Sequence, residues 1–127
     1  IVTREKMRIE FNEEKKVITI STPGKNTVEI SDDDKHIKLT DQNKNEIVMN
    51  SSGISLSSAK DITLKAKGAI TIEATSKINA TAKQDVSLEG LNVKMEAKVS
   101  ATVKGNAKAE LSASGQTTVK GGMVMIN

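Results

Sequence analysis

Chemistry in this chain has to start from oxygen donors and a single imidazole. His36 is the only histidine among 127 residues, and cysteine, tryptophan and tyrosine are absent. Disulfides, thiolate zinc sites, iron–sulfur ligation and cysteine nucleophiles are therefore excluded. Two acidic stretches remain. Asp32-Asp33-Asp34 is one, and Asp41-X-Asn43-X-Asn45 opens with the alternating oxygen donors of a calcium loop. The loop is not completed, because Glu46 stands where glycine should make the sharp turn and Ser52 where a glutamate should close the site. Both stretches are read as solvated turns. His36 precedes Ile37, which alternation places inward, so His36 is expected to face outward as an ordinary exposed imidazole. Catalysis needs groups held together in a concave pocket, which short strands filling a narrow tube do not offer. The expectation is a protein that is not an enzyme and has no cofactor and no metal site.

The elements that carry these residues follow from an eight-residue repeat. Blocks begin at Ile54, Ile62, Ile70, Ile78 and Val86, then after a seven-residue step at Val93, Ala101, Ala109 and Thr117. Across these nine blocks the first and third positions are apolar in 17 of 18 cases, and the second and fourth are polar in all 18. Strict alternation with many β-branched side chains is the pattern of a short half-buried strand. The fifth position is always small: Ser58, Ala66, Ala74, Ala82, Gly90, Ala97, Gly105, Ala113 and Gly121. A bend is expected there, since backbones approach closely at the corners of a narrow polygonal tube. Internal periodicity of this kind indicates a repeat architecture.

Residues 1–53 carry the same strand pairs on longer joints: Ile9/Phe11, Ile18/Ile20, Val28/Ile30, Ile37/Leu39 and Ile47/Met49, at spacings of nine, ten, nine, ten and then seven into Ile54. The extra residues fall in turn-rich stretches, among them Thr22-Pro23-Gly24-Lys25-Asn26 and Asp32-Asp33-Asp34-Lys35. The reading is an N-terminal section, 1–53, with wider corners, a regular octad section, 54–122, and a C-terminal end, 123–127. No stretch shows a helical apolar stripe, so the fold class is all-β.

Composition sets a further constraint. Phe11 is the only aromatic residue, and much of the 36% hydrophobic content is alanine. So thin an apolar supply leaves a monomer of this size marginal. One chain stacking every side of a three-sided tube and three chains sharing the sides both fit a period of eight. Three interwound copies give each strand neighbours on both edges and close the assembly by cyclic symmetry. The favoured architecture is an intertwined homotrimeric triple-stranded β-helix, a triangular prism; a single-chain β-helical adhesin or surface-binding module is the alternative. A lipid-carrying jellyroll needs a wider apolar groove than the small bend residues allow. The net charge of +3 comes from lysines scattered among acids, with Arg4 and Arg8 the only arginines, which speaks against a nucleic-acid partner. No apolar run approaches the roughly 20 residues of a bilayer-spanning helix. The opening Ile1 is read as the start of an excised or processed piece.

The octads, together with Val28-Glu29-Ile30-Ser31-Asp32-Asp33-Asp34-Lys35-His36-Ile37-Lys38-Leu39, Asp41 to Met49, and Gly121-Gly122-Met123-Val124-Met125-Ile126-Asn127, resemble the C-terminal shaft of VgrG spike proteins. These are the type VI secretion counterparts of contractile-phage puncturing needles. The resemblance implies a homotrimeric triangular β-helix on a hub with an OB-like domain, capped by a PAAR-type tip protein; neither hub nor effector domain lies in this chain. It also implies assembly in the bacterial cytoplasm, then secretion or injection with transient passage through a target membrane. Some similar phage tips bind a metal through a His-X-His pair, which this sequence lacks. The apolar terminus, Met123, Val124, Met125, Ile126 and Asn127, is the expected tip-binding end.

Overall fold

Five-residue strands arise wherever the alternation is bounded by turn residues. They are β1 (Arg8–Asn12), β2 (Val17–Ser21), β3 (Thr27–Ser31), β4 (His36–Thr40), β5 (Glu46–Asn50) and β6 (Gly53–Ser57). In this computed structural model, which describes all 127 residues, they form one antiparallel meander in chain order. There is no helix. The chain divides into two units, Ile1–Ile72 and Glu73–Asn127.

The irregular spacings of the N-terminal section have a simple origin. Four-residue loops (13–16 and 32–35) alternate with five-residue loops (22–26 and 41–45), and Ser51-Ser52 alone joins β5 to β6. Added to five-residue strands, these loops produce the steps of nine, ten, nine, ten and seven. The seven-residue step at Ile47 to Ile54 is thus a two-residue hairpin, with Asn50 opposite Gly53 and Met49 opposite Ile54. The joints that the sequence presents as wider corners are complete chain reversals. The physical reason is one left-handed residue in each of the longer loops: Lys16, Lys25, Lys35 and Lys44 at φ of 51, 67, 52 and 68°. Such a residue lets the chain turn back on itself. Within the loops, the Lys25 N–H donates to the Thr22 carbonyl at 3.0 Å and the Lys44 N–H to the Asp41 carbonyl at 3.2 Å. Beside the two-residue turn the positive φ falls on Gly53, the first residue of β6, at 120°, where a side chain would be strained.

Register follows the pleat. Ile9 faces Ile20, Phe11 faces Ile18, Ile18 faces Ile30, Val28 faces Leu39, Leu39 faces Ile47 and Ile47 faces Leu56. Every strand therefore places its apolar pair on the same face, and a slip of one residue would send the whole set to the other side.

From Ser58 onward the chain forms no ladder. It bends at 59–60, 67–68, 75–76, 83–84, 91, 98–99, 106–107, 114–115 and 122–123. Each bend opens one residue after the small fifth position of its block, at all nine positions, and the seven-residue step reappears between 91 and 98. Gly105 shows why smallness matters. A Cβ built there would collide with the Lys108 carbonyl, and one at Gly121 would lie 3.0 Å from the Met123 carbonyl oxygen.

Lysine is an uncomfortable occupant of a left-handed position, at a cost of roughly 1–2 kcal/mol relative to glycine before glycine's greater unfolded-state entropy is subtracted. Lys44→Gly should therefore raise stability by roughly 0.5 kcal/mol, read from thermal or urea melts. Lys44→Ala, which keeps the Cβ and removes only the amine, should show no such gain.

Candidate assembly surface

The largest feature of the first unit is an apolar face with nothing on it. No hydrophobic residue in the chain is buried. The residues of the apolar face are half-buried at best: Phe11 is 64% exposed, Ile54 77%, and Ile20, Ile30 and Leu56 are all exposed. The opposite, polar face is better covered. Thr19, Ser21, Glu29, His36, Lys38 and Thr40 are half-buried, and Ser31, at 3% exposure, is the only buried residue. This inverts the usual order of a sheet, in which apolar side chains leave water first. A groove of about 540 Å³ runs over the apolar face, with Ile20, Val28, Leu39, Ile47, Leu56 and Ile62 in its wall.

An ion pair and a hydrogen bond span neighbouring strands on the polar face. Lys38 Nζ meets Glu46 Oε2 at 2.7 Å, and His36 Nε2 meets Glu29 Oε1 at 2.7 Å. Glu29, Asp34 and His36 bring one ligand atom each to within 4.8 Å of one another. His36 therefore lies on the polar face, as alternation predicts, but is half-buried and partnered rather than free. Sequence reading missed that partnership, and the signal was present. A four-residue loop puts His36 opposite Ser31 and hence diagonal to Glu29.

The acidic stretch at Asp41 is a self-contained turn. Asp41 Oδ1 accepts the Asn43 and Asn45 backbone N–H groups, both at 2.8 Å, and Oδ2 accepts the side-chain amides of Asn43 at 3.2 Å and Asn45 at 2.8 Å. Asn45 Oδ1 in turn accepts the Ser58 hydroxyl at 2.8 Å and the Ala59 N–H at 3.2 Å. The oxygens that resemble calcium donors thus serve the loop and pin the exit of β6. The Asn45 backbone N–H, opposed by partial desolvation and helped by the Asn45 and Asn43 side chains, holds the Asp41 carboxyl below its ordinary value.

In the second unit the apolar lane is equally open. Val86, Leu88, Val93, Met95, Val103, Leu111 and Val119 are all exposed. Lys94 pairs with Glu96 at 2.6 Å, and Lys108 pairs with Glu110; in both cases the partners are two residues apart, on one side of an extended run. Beyond Lys60 no backbone group has a hydrogen-bond partner within the chain. The terminal Met123, Val124, Met125 and Ile126 are exposed, Ile126 to 91%, and Asn127 is exposed as well. Both backbone edges and an apolar lane of this unit are therefore open, and a strand-rich partner would satisfy the two together.

Comparison with known proteins points the same way. A family model described as "Phage baseplate V C-terminal trimerisation domain" matches residues 17–127. No curated protein matches.

A depressed Asp41 pKa means that its contribution to stability is complete above the unfolded value and is lost as pH falls through the lower folded one. Asp41→Ala should therefore melt below the wild type near neutral pH, and the two melting curves should converge as pH falls below about 4. A pH series of thermal melts checks this.

Proposed function

The chain belongs to the phage baseplate V C-terminal trimerisation domain family, and from that premise we propose that it is the shaft of a spike in a contractile injection machine of the VgrG kind. The family is a structural trimerisation domain, which fits a homotrimer and a mechanical rather than catalytic role. The observation that carries the reading is the double vacancy in residues 58–127: an apolar lane with nothing over it and strand edges with no ladder. Two further copies supply both. Three octad runs wound about one axis give every strand two neighbours and turn the lanes inward as a triangular prism. The small fifth positions let the corners close.

Such a rod would act by stiffness. Hydrogen bonds repeated along the axis resist bending, and the polar outer rows of serine, threonine and lysine favour transient passage through an envelope over residence in lipid. Assembly in the bacterial cytoplasm followed by injection belongs to the same reading. A spike ends in an unpaired layer, and the exposed run Met123, Val124, Met125, Ile126 and Asn127 is the surface on which a PAAR-type tip protein would sit.

Light scattering on serial dilution tests the oligomer. A persistent mass three times 13.6 kDa is expected, and a stable monomer would transfer the reading to the single-chain β-helical adhesin. Ile70→Asp, which puts a charge into the lane, should dissociate or unfold the trimer, whereas Thr71→Asp on the polar side should leave its mass unchanged. The tip assignment is tested separately. Deleting Met123–Asn127 should abolish co-purification of a PAAR-type protein while the trimeric mass persists; undiminished co-purification would remove that role from the terminus.

A further inference from the structure

The polar face of the meander gathers three donors from three separate places. Glu29 comes from β3, Asp34 from the following loop and His36 from β4, and their ligand atoms lie within 4.8 Å of one another. Each is turned toward the others for an identifiable reason. Lys38 stands directly opposite Glu29 in the ladder and is its natural ion-pair partner, yet the Lys38 amine goes to Glu46 at 2.7 Å. The Glu29 carboxylate is left to reach diagonally to His36 Nε2 at 2.7 Å. Ser31, the one buried residue of the chain, secures the third donor. Its hydroxyl oxygen accepts the Asp34 N–H at 3.0 Å, and its O–H points to Asp34 Oδ2 at 3.4 Å.

We infer that Glu29, Asp34 and His36 form a binding site for a divalent transition-metal ion of the zinc or cobalt class. The donor set is one imidazole and two carboxylates, which suits borderline ions that accept nitrogen and oxygen together. Two carboxylates beside an imidazole attract a dication. Bonds of roughly 2.0–2.2 Å to one ion place donors about 3–4 Å apart, so the His36–Glu29 hydrogen bond opens slightly on binding and the Nε2 proton is released to solvent. Three protein donors leave further positions for water. Ser31 acts through Asp34 as a positioning residue and touches no metal. All three ligands come from one chain, so the inference stands apart from the spike reading.

Cobalt(II) alone is the probe, titrated into the full chain. One ion per chain is expected, with visible absorption characteristic of mixed nitrogen and oxygen ligation. Because His36 is the only histidine, its single set of imidazole NMR signals should shift on binding. Glu29→Gln and His36→Ala should each weaken affinity by about tenfold or more, and Ser31→Ala by about tenfold, with strand content checked by circular dichroism. Unmoved imidazole signals at saturating cobalt, or equal affinity in His36→Ala, would overturn the site and leave His36–Glu29 as a plain hydrogen bond.

Discussion

The constraint on which everything else depends is that this chain makes strands faster than it makes anything to cover them. Alternation with period two puts the apolar pair of every strand on one face, and no second layer, helix or aromatic cluster exists to pack against it. In an ordinary domain the apolar face is buried first, and the polar face takes what water remains. Here the polar face of the meander is the better covered of the two, and no hydrophobic residue is buried at all.

The two units meet their backbone requirements differently. In the first, loops of two, four or five residues fold each strand onto its predecessor, so the strands pair locally, with β2 to β5 flanked on both edges. Such neighbouring pairing is cheap in loop-closure entropy. In the second, corners one residue or two long repeat every eight residues, with one step of seven between 91 and 98, without reversing the chain into a hairpin. A run of this kind has no local partner to choose. The difference is written in the loops: each hairpin joint of the first unit has a positive-φ residue at its end, Lys16, Lys25, Lys35, Lys44 or Gly53, whereas no residue of the second unit has one.

Much of this was legible from residue types alone. The all-β class and the strand pairs from Ile9 to Leu56 follow from alternation. The bends follow from the small fifth positions and stand one residue after them throughout. Hairpins were less legible, because spacings of nine and ten also describe a tube with wide corners. The deciding feature is the positive φ of Lys16, Lys25, Lys35 and Lys44, and lysine, unlike glycine or asparagine, does not advertise that conformation. The Glu29–Asp34–His36 cluster was hidden for the same reason. Its members are seven residues or fewer apart, but they converge only once the hairpin register is known.

The acidic loops illustrate how similar donors can be put to different use. At Asp41 the carboxylate is saturated by four N–H groups of its own loop, so its geometry is spent on holding a turn. At Asp34 one carboxylate oxygen is held at 3.4 Å by the buried Ser31 hydroxyl, and the group stays within reach of its neighbours on the strands. Carboxylates whose oxygens are filled by backbone donors stabilise a loop; carboxylates steered by a single hydroxyl retain lone pairs for another ligand. Acidic character does not separate the two cases, because both loops carry aspartate. The separation lies in the side chains that follow: Asn43 and Asn45 add amide N–H donors to the Asp41 carboxylate, whereas residues 32–35 include no side-chain amide.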